Sequence, residues 1–249
     1  MPYAMGRKLV GIMKIGVVVF PGSNCDHDCQ YIFKDVLGQY VEMIWHKETL
    51  LAGLDAIVLP GGFSYGDYLR TGAIARFSPV MGAVKAFANK GGLVIGICNG
   101  FQILVKSGLL LDDEPSQPAA TLTWNDSGRF LCRWVKLRTA GSKCVFFQGI
   151  ERMYLPMAHA EGKFVPRDEQ IMSRLEAGGQ LALRYDDDNP NGSTADVAGV
   201  CDSTGRVCGL MPHPERHLDP THHPRWTRGE AGSVGDGLKV FQNAVAYFN

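Results

Sequence analysis

The chain is predicted to fold as an α/β protein: an open, mostly parallel sheet flanked by helices, with an antiparallel or mixed extension. Three observations carry that prediction. Short β-branched runs alternate with helix-patterned segments through the first half, and each run ends in a turn signal. The second half then presents strand-like runs with few helical stretches between them.

Ile15 to Phe20 is a nearly continuous apolar run closed by Pro21-Gly22-Ser23-Asn24, which reads as a buried strand and a turn. A helix is expected from Cys25 to Leu37, with Asn24 as its N-cap. Val41 to Trp45 is a second strand, and Asp55 to Leu59 a third, stopped by Pro60-Gly61-Gly62. Val80 to Asn89 has helical spacing, and Leu93 to Ile97 is the fourth strand. Such alternation implies right-handed crossovers, and it gathers ligands at the carboxyl ends of the strands, where Pro60-Gly61-Gly62 and Cys98 both fall.

Past Leu109 the rhythm changes. Residues 112 to 118 form an acidic, proline-containing loop; Leu131 to Leu137, Val145 to Phe147 and Tyr154 to Met157 are strand-like and extend the same sheet. Gly237 to Phe248 reads as a terminal helix. The expected organisation is one domain over residues 14–249 behind an extension, 1–13, because Met13-Lys14-Ile15 opens the first strand cleanly; a domain break at the acidic loop is the alternative.

Composition narrows the function classes. Twenty-five basic and 25 acidic residues cancel, so nothing favours nucleic acid or an anionic membrane as partner. No segment is long and apolar enough to span a bilayer, and residues 1–13 lack the apolar core of a signal peptide. Seven irregularly spaced cysteines in a chain of 249 residues suggest free thiols and a cytoplasmic setting.

The chemistry is expected at Gly96-Ile97-Cys98-Asn99-Gly100-Phe101-Gln102. A small-x-nucleophile-x-small pattern where a strand turns into a helix is a nucleophile elbow, here with cysteine in place of serine. Glycines are needed because so tight a turn brings backbones together. A free thiol is only a few per cent ionised at neutral pH, so Cys98 needs a base. His213, in Met211-Pro212-His213-Pro214-Glu215-Arg216, is the candidate: its flanking prolines keep the backbone extended, and Glu215 would project to the same side to orient the ring. Alone, His213 would read as a loop residue; the His-Pro-Glu context and the upstream elbow reverse that. The N–H of Asn99 and the Gly61-Gly62 turn are candidate oxyanion donors. Cys25-Asp26-His27-Asp28-Cys29 has metal-capable side chains but no second ligand pair, so no metal is expected. His217, His222 and His223 lie in a polar, proline-interrupted loop and read as solvated. No P-loop pattern occurs, so ATP chemistry would belong to another chain.

Taken with Pro60 to Arg70, Asn125 to Phe130 with Arg133, Ala158 to Gly162 and Asn189 to Ser193, the elbow and the His-Pro-Glu block resemble the class I (triad) glutamine amidotransferases over roughly residues 14 to 216. The resemblance is strongest to the branch whose glutaminases serve a synthetase of purine biosynthesis. It implies a flavodoxin-like fold and a γ-glutamyl thioester on Cys98, with His213 shuttling protons and Glu215 orienting His213. Gln102, Gly61 and Gly62 would lie along bound L-glutamine. Ammonia would pass to a large synthetase subunit that carries ATP and magnesium and converts formylglycinamide ribonucleotide to the amidine. A third small subunit would join the assembly, and no cofactor is expected in this chain. The Phe63–Arg70 and Asn125–Arg133 segments would dock the partner rather than touch glutamine. Ala160 replaces a glycine usual in the family pattern, and residues 218 to 236 are longer than in compact relatives. A stand-alone cysteine hydrolase on the same scaffold, such as a γ-glutamyl peptidase or protease, is the other reading, and a non-enzymatic regulatory subunit a third.

Overall fold

The structure, a computed structural model, describes residues 11–111, 117–139 and 141–248. Most of the proposed extension and most of the acidic loop (residues 1–10 and 112–116) lie outside them. The first half follows the expected alternation: β1 (Lys14–Val19), α1 (Asp26–Tyr31), β2 (Tyr40–Trp45), β3 (Ala56–Leu59), α2 (Pro79–Asn89), β4 (Leu93–Ile97) and α3 (Asn99–Ser107). β1, β3 and β4 are buried almost throughout, as their unbroken apolar sequences require of strands covered on both faces. α1 continues as a π-type turn over Ile32–Val36. Asn24 does not cap it; Cys25 takes the N-cap position, and the Asn24 side chain instead accepts from the Cys25 thiol at 3.1 Å.

The second half contains β5 (Ala120–Thr123), β6 (Leu131–Arg138), β7 (Arg152–His159), β8 (Lys163–Pro166), α4 (Glu169–Ala177), β9 (Leu183–Tyr185), β10 (Val197–Cys201), β11 (Val207–Leu210) and α5 (Leu238–Ala246). One sheet of nine strands runs β2-β1-β3-β4-β11-β10-β9-β6-β7, parallel from β2 to β11 and antiparallel from there on. β5 and β8 form a separate antiparallel ribbon. Two expectations are corrected. Val145–Phe147 is a buried 3₁₀ turn rather than a strand, because Asn243 of α5 donates to the carbonyls of Phe146 (2.9 Å) and Gln148 (2.8 Å) and occupies the groups a ladder would use. α4 was not foreseen; Asp168 caps it by accepting from Ile171 N–H at 2.8 Å.

α5 closes the core against the π-type turn that follows α1. Phe241 and Phe33 are fully buried and meet edge to face at 5.5 Å, each ring contributing on the order of 2–3 kcal/mol through burial. Gly209 of β11 lies opposite Gly96 of β4, and any Cβ at Gly209 would strike the Phe101 ring of α3. The glycine pair therefore lets α3 lie close on the strands that carry the site. Among the described residues, no helix is long and apolar enough to cross a membrane.

Candidate active site

Strand register assembles the site. β4 and β11 are parallel neighbours with Ile97 opposite Leu210, so the segments leaving them emerge side by side. Cys98 follows β4 directly; His213 follows β11 after Met211 and Pro212. Cys98 N–H donates to the Leu210 carbonyl at 2.7 Å, tying the two exits together.

The elbow has the expected geometry. Cys98 is at φ 51° and ψ −101°, a state that costs a non-glycine residue on the order of 1–3 kcal/mol. A Cβ on Gly96 would come within 2.6 Å of the Gly100 carbonyl oxygen, and one on Gly100 would overlap the Leu59 carbonyl. Cys98 heads α3, whose first N–H groups, Asn99 included, have no acceptor within the helix.

His213 and Glu215 are both buried, and His213 Nδ1 bonds Glu215 Oε1 at 2.5 Å. Burial by itself would keep the ring neutral. The Glu215 carboxylate, then the Cys98 sulfur on its other side, outweigh that and hold the ring's proton affinity well above that of a free histidine. His213 Nε2 is buried without a hydrogen-bond partner, and the Cys98 thiol is turned toward the Ala158 carbonyl at 3.6 Å. Catalytic hydrogen bonds are commonly loose before substrate arrives, and the Cys98 sulfur lies close enough to raise the ring's proton affinity.

β7 holds this arrangement in place. The antiparallel half curls back until the outer edge of β7 meets the segment after β11, where three alternate carbonyls are used in turn. Tyr154 O accepts from His217 Nδ1 (2.8 Å), Pro156 O from His213 N–H (2.8 Å), and Ala158 O from Cys98. Pro156, which lacks an N–H, is tolerated because it faces an edge. His217 and His223 are thereby corrected: they are buried against Trp134 and Tyr154, while His222 is exposed as expected.

Cys25 was not anticipated as a neighbour of the triad. Its sulfur, a His213 nitrogen and a Glu215 oxygen lie within 4.8 Å of one another. Arg216 Nη2 donates to Cys25 Sγ at 2.8 Å, so a guanidinium already supplies the positive charge that a metal would bring. Gly61 lies on this side, where a Cβ would meet His213 Cε1 at 2.9 Å and Cys25 Sγ at 3.0 Å. Gly61 therefore makes room for the imidazole.

Gly62, Asp67, Cys98, Gln102 and Glu161 line a cavity of about 170 Å³, with Phe63, Trp124 and Phe130 half-exposed at its edge. Gly62 is at φ 148°, closed to other residues, with Gly22 and Ser23 backbone atoms packed where a Cβ would go. The Asn99 side chain links the walls: its Oδ1 accepts from Ser64 N–H (3.1 Å), and its Nδ2 donates to Asp67 (3.2 Å) and Gln102 (2.9 Å). Gln102 in turn donates to the Glu161 carbonyl at 2.7 Å. The Phe63–Arg70 and Asn125–Arg133 segments, expected only to dock a partner, supply Phe63, Asp67 and Phe130 to this cavity. Asp67 and Glu161 fall within blocks that carry the resemblance, but nothing in the sequence assigns either a role; the fold brings them to the cavity of Cys98. Ala160 is not among the residues with positive φ, so its methyl group brings no backbone strain. A wider cleft of about 340 Å³ beyond His217 is lined by no cysteine or serine, and it holds two ion pairs, Arg152 with Asp186 and Arg225 with Glu230.

Comparison with known proteins agrees with this geometry. Residues 13–248 match the family described as the CobB/CobQ-like glutamine amidotransferase domain. The chain is 50% identical over 236 residues to the phosphoribosylformylglycinamidine synthase subunit PurQ of Nostoc sp., covering 94% of this chain and 97% of that protein. It is 48% identical over 238 residues to the subunit of the same name from Alkaliphilus metalliredigens, covering 94% and 96%. Among solved structures, a chain of PurLQS from Thermotoga maritima superposes with a TM-score of 0.80 at 36% identity, covering 96% of this chain and all (100%) of that one. The chain belongs to the CobB/CobQ-like glutamine amidotransferase family, within its PurQ branch.

Proposed function

We propose that this protein is the glutaminase subunit of a phosphoribosylformylglycinamidine synthase. The observation that carries the reading is the buried His213–Glu215 pair, bonded at 2.5 Å, beside an elbow cysteine. His213 takes the Cys98 proton as sulfur attacks the side-chain amide carbon of L-glutamine, and Glu215 stabilises the imidazolium. The developing oxyanion is received by the N–H groups of Asn99 and Gly62. His213 returns its proton to the departing nitrogen, releasing ammonia and leaving a γ-glutamyl thioester. Water, deprotonated by the same imidazole, then frees glutamate. Ammonia goes to a large synthetase subunit, with ATP and magnesium bound there, and a third small subunit completes the assembly. The match to a chain of PurLQS and to relatives named as synthase subunits supports a synthetase partner.

The reconstituted complex tests the reading. Cys98→Ser is expected to abolish amidine synthesis driven by glutamine, by a factor of roughly 10³ or more, and to leave synthesis driven by added ammonia intact. Loss of both activities would refute it, as would peptide hydrolysis by the isolated chain without glutaminase activity in the complex.

A further inference from the structure

Of the two acids in the Cys98 cavity, one lacks a counter-charge. Glu161 is paired with Arg70 at 3.0 Å and also accepts from the Thr71 hydroxyl at 3.3 Å. Asp67 has no cation: among the described residues it forms no ion pair, and its one side-chain partner is the neutral amide of Asn99, at 3.2 Å. Burial, and next the negative charge of Glu161, push its carboxyl up to about 6. The walls bring no compensating positive charge, because burial, and then the charge of His213, hold His159 neutral, pushed down to about 3. A partly buried carboxylate facing a cavity without a cation is costly unless a ligand supplies one.

The segment carrying Asp67 is built to hold position. Tyr65, Asp67 and Leu69 all have positive φ (54°, 54° and 68°), a strained sequence of backbone states. The loop is anchored by the Tyr65 hydroxyl, which bonds His46 at 2.7 Å and Ser78 at 2.8 Å. Asp67 is also connected to the elbow through Asn99, the residue after the nucleophile. A carboxylate that lines the same small cavity as a thiol suits a substrate with an amide at one end and a cation a few bonds away.

We infer that Asp67 is a specificity residue of this site, its carboxylate anchoring the α-ammonium group of the substrate whose side-chain amide Cys98 attacks. This rests on the glutaminase reading and extends it. Charge-assisted hydrogen bonds are the strong ones, and removing this one weakens binding on the order of 10- to 100-fold.

The test compares two alkylating agents on the complex. One is 6-diazo-5-oxo-L-norleucine, which carries the α-ammonium of glutamine; the other is iodoacetamide, which carries no charge. In Asp67→Asn, labelling of Cys98 by the first is expected to slow 10- to 100-fold, with iodoacetamide labelling within about twofold of wild type. Asparagine is at ease at positive φ and still accepts from Asn99, and Asp67→Gly serves as a second neutral variant. With 4-carbamoylbutanoate, which is glutamine without the amino group, wild type and both variants should turn over alike. Equal slowing of both reagents, or of neither, overturns the assignment. A wild-type complex labelled at Cys98 by iodoacetamide but not by the diazo compound would instead overturn the glutaminase reading, and this inference with it.

Discussion

At the scale of single residues, the site holds states that folding alone would avoid. Because folding raises the proton affinity of Asp67, ionising it costs stability. The loss develops as pH rises from about 4 to about 6 and is complete above that. Asp67→Asn removes the titration, so at pH 7 it should be more stable than wild type by about 1–2 kcal/mol, after allowance for its partial exposure, with the gap closing at pH 4. Denaturant melts at the two pH values measure this. Cys98 offers a second case with an inverted sign. Replacing alanine by glycine ordinarily destabilises, but at φ 51° the order should reverse, Cys98→Gly being more stable than Cys98→Ala by about 1 kcal/mol. Equal stability would show that the elbow carries no strain. The nucleophile and its base were legible at this scale because a turn between glycines and a histidine between prolines are local patterns. Asp67, Glu161 and Cys25 were not, since what matters is which residues lie opposite them across a cavity.

At the scale of elements, the edge strand β7 does more than end the sheet. Its outer carbonyls receive the triad segment, and its Tyr154 N–H donates to Asp236 at 2.7 Å, so the edge is covered rather than left open to another chain. The segment 218 to 236, unexplained by sequence, thus leads α5 into place. Gly237, at the start of α5, donates its N–H to His217 O at 2.9 Å, and a Cβ there would overlap the Pro214 carbonyl. Gly237→Ala should therefore cost about 1–3 kcal/mol and displace the His213–Glu215 turn. Denaturant melts together with the rate of Cys98 labelling by the diazo reagent check both effects; a stability loss with unchanged labelling would show that α5 does not position the turn. The parallel strands were readable as continuous apolar runs. The 3₁₀ turn at Val145–Phe147 was misread because three apolar residues carry no period, and Asn243, nearly a hundred residues on, decides their state.

At the scale of the whole molecule, the cavity mouth is rimmed by side chains that water should not favour. Phe63, Trp124 and Phe130 are half-exposed there, and Tyr68 and Leu69, which follow Asp67 in the chain, are 73% and 86% exposed. An apolar rim around a site whose product is a volatile, easily protonated base suits a surface that a synthetase covers. Leu69→Asp places a residue tolerant of positive φ at φ 68°, so the free chain should fold as before. Co-purification with the synthetase is expected to weaken at least tenfold, and iodoacetamide labelling of the free chain to stay unchanged. Undiminished co-purification would place the interface elsewhere.

The bond from Cys98 N–H to Leu210 O has a consequence for how the enzyme comes into being. Thiol and imidazole ride on adjacent strands but are separated by most of the second half of the polypeptide, so during translation the sulfur emerges long before its base. Until the ribosome has delivered β11 and the turn beyond it, the nascent chain holds Cys98 without His213 and Glu215. Glutamine in the surrounding fluid is therefore safe from a half-made enzyme.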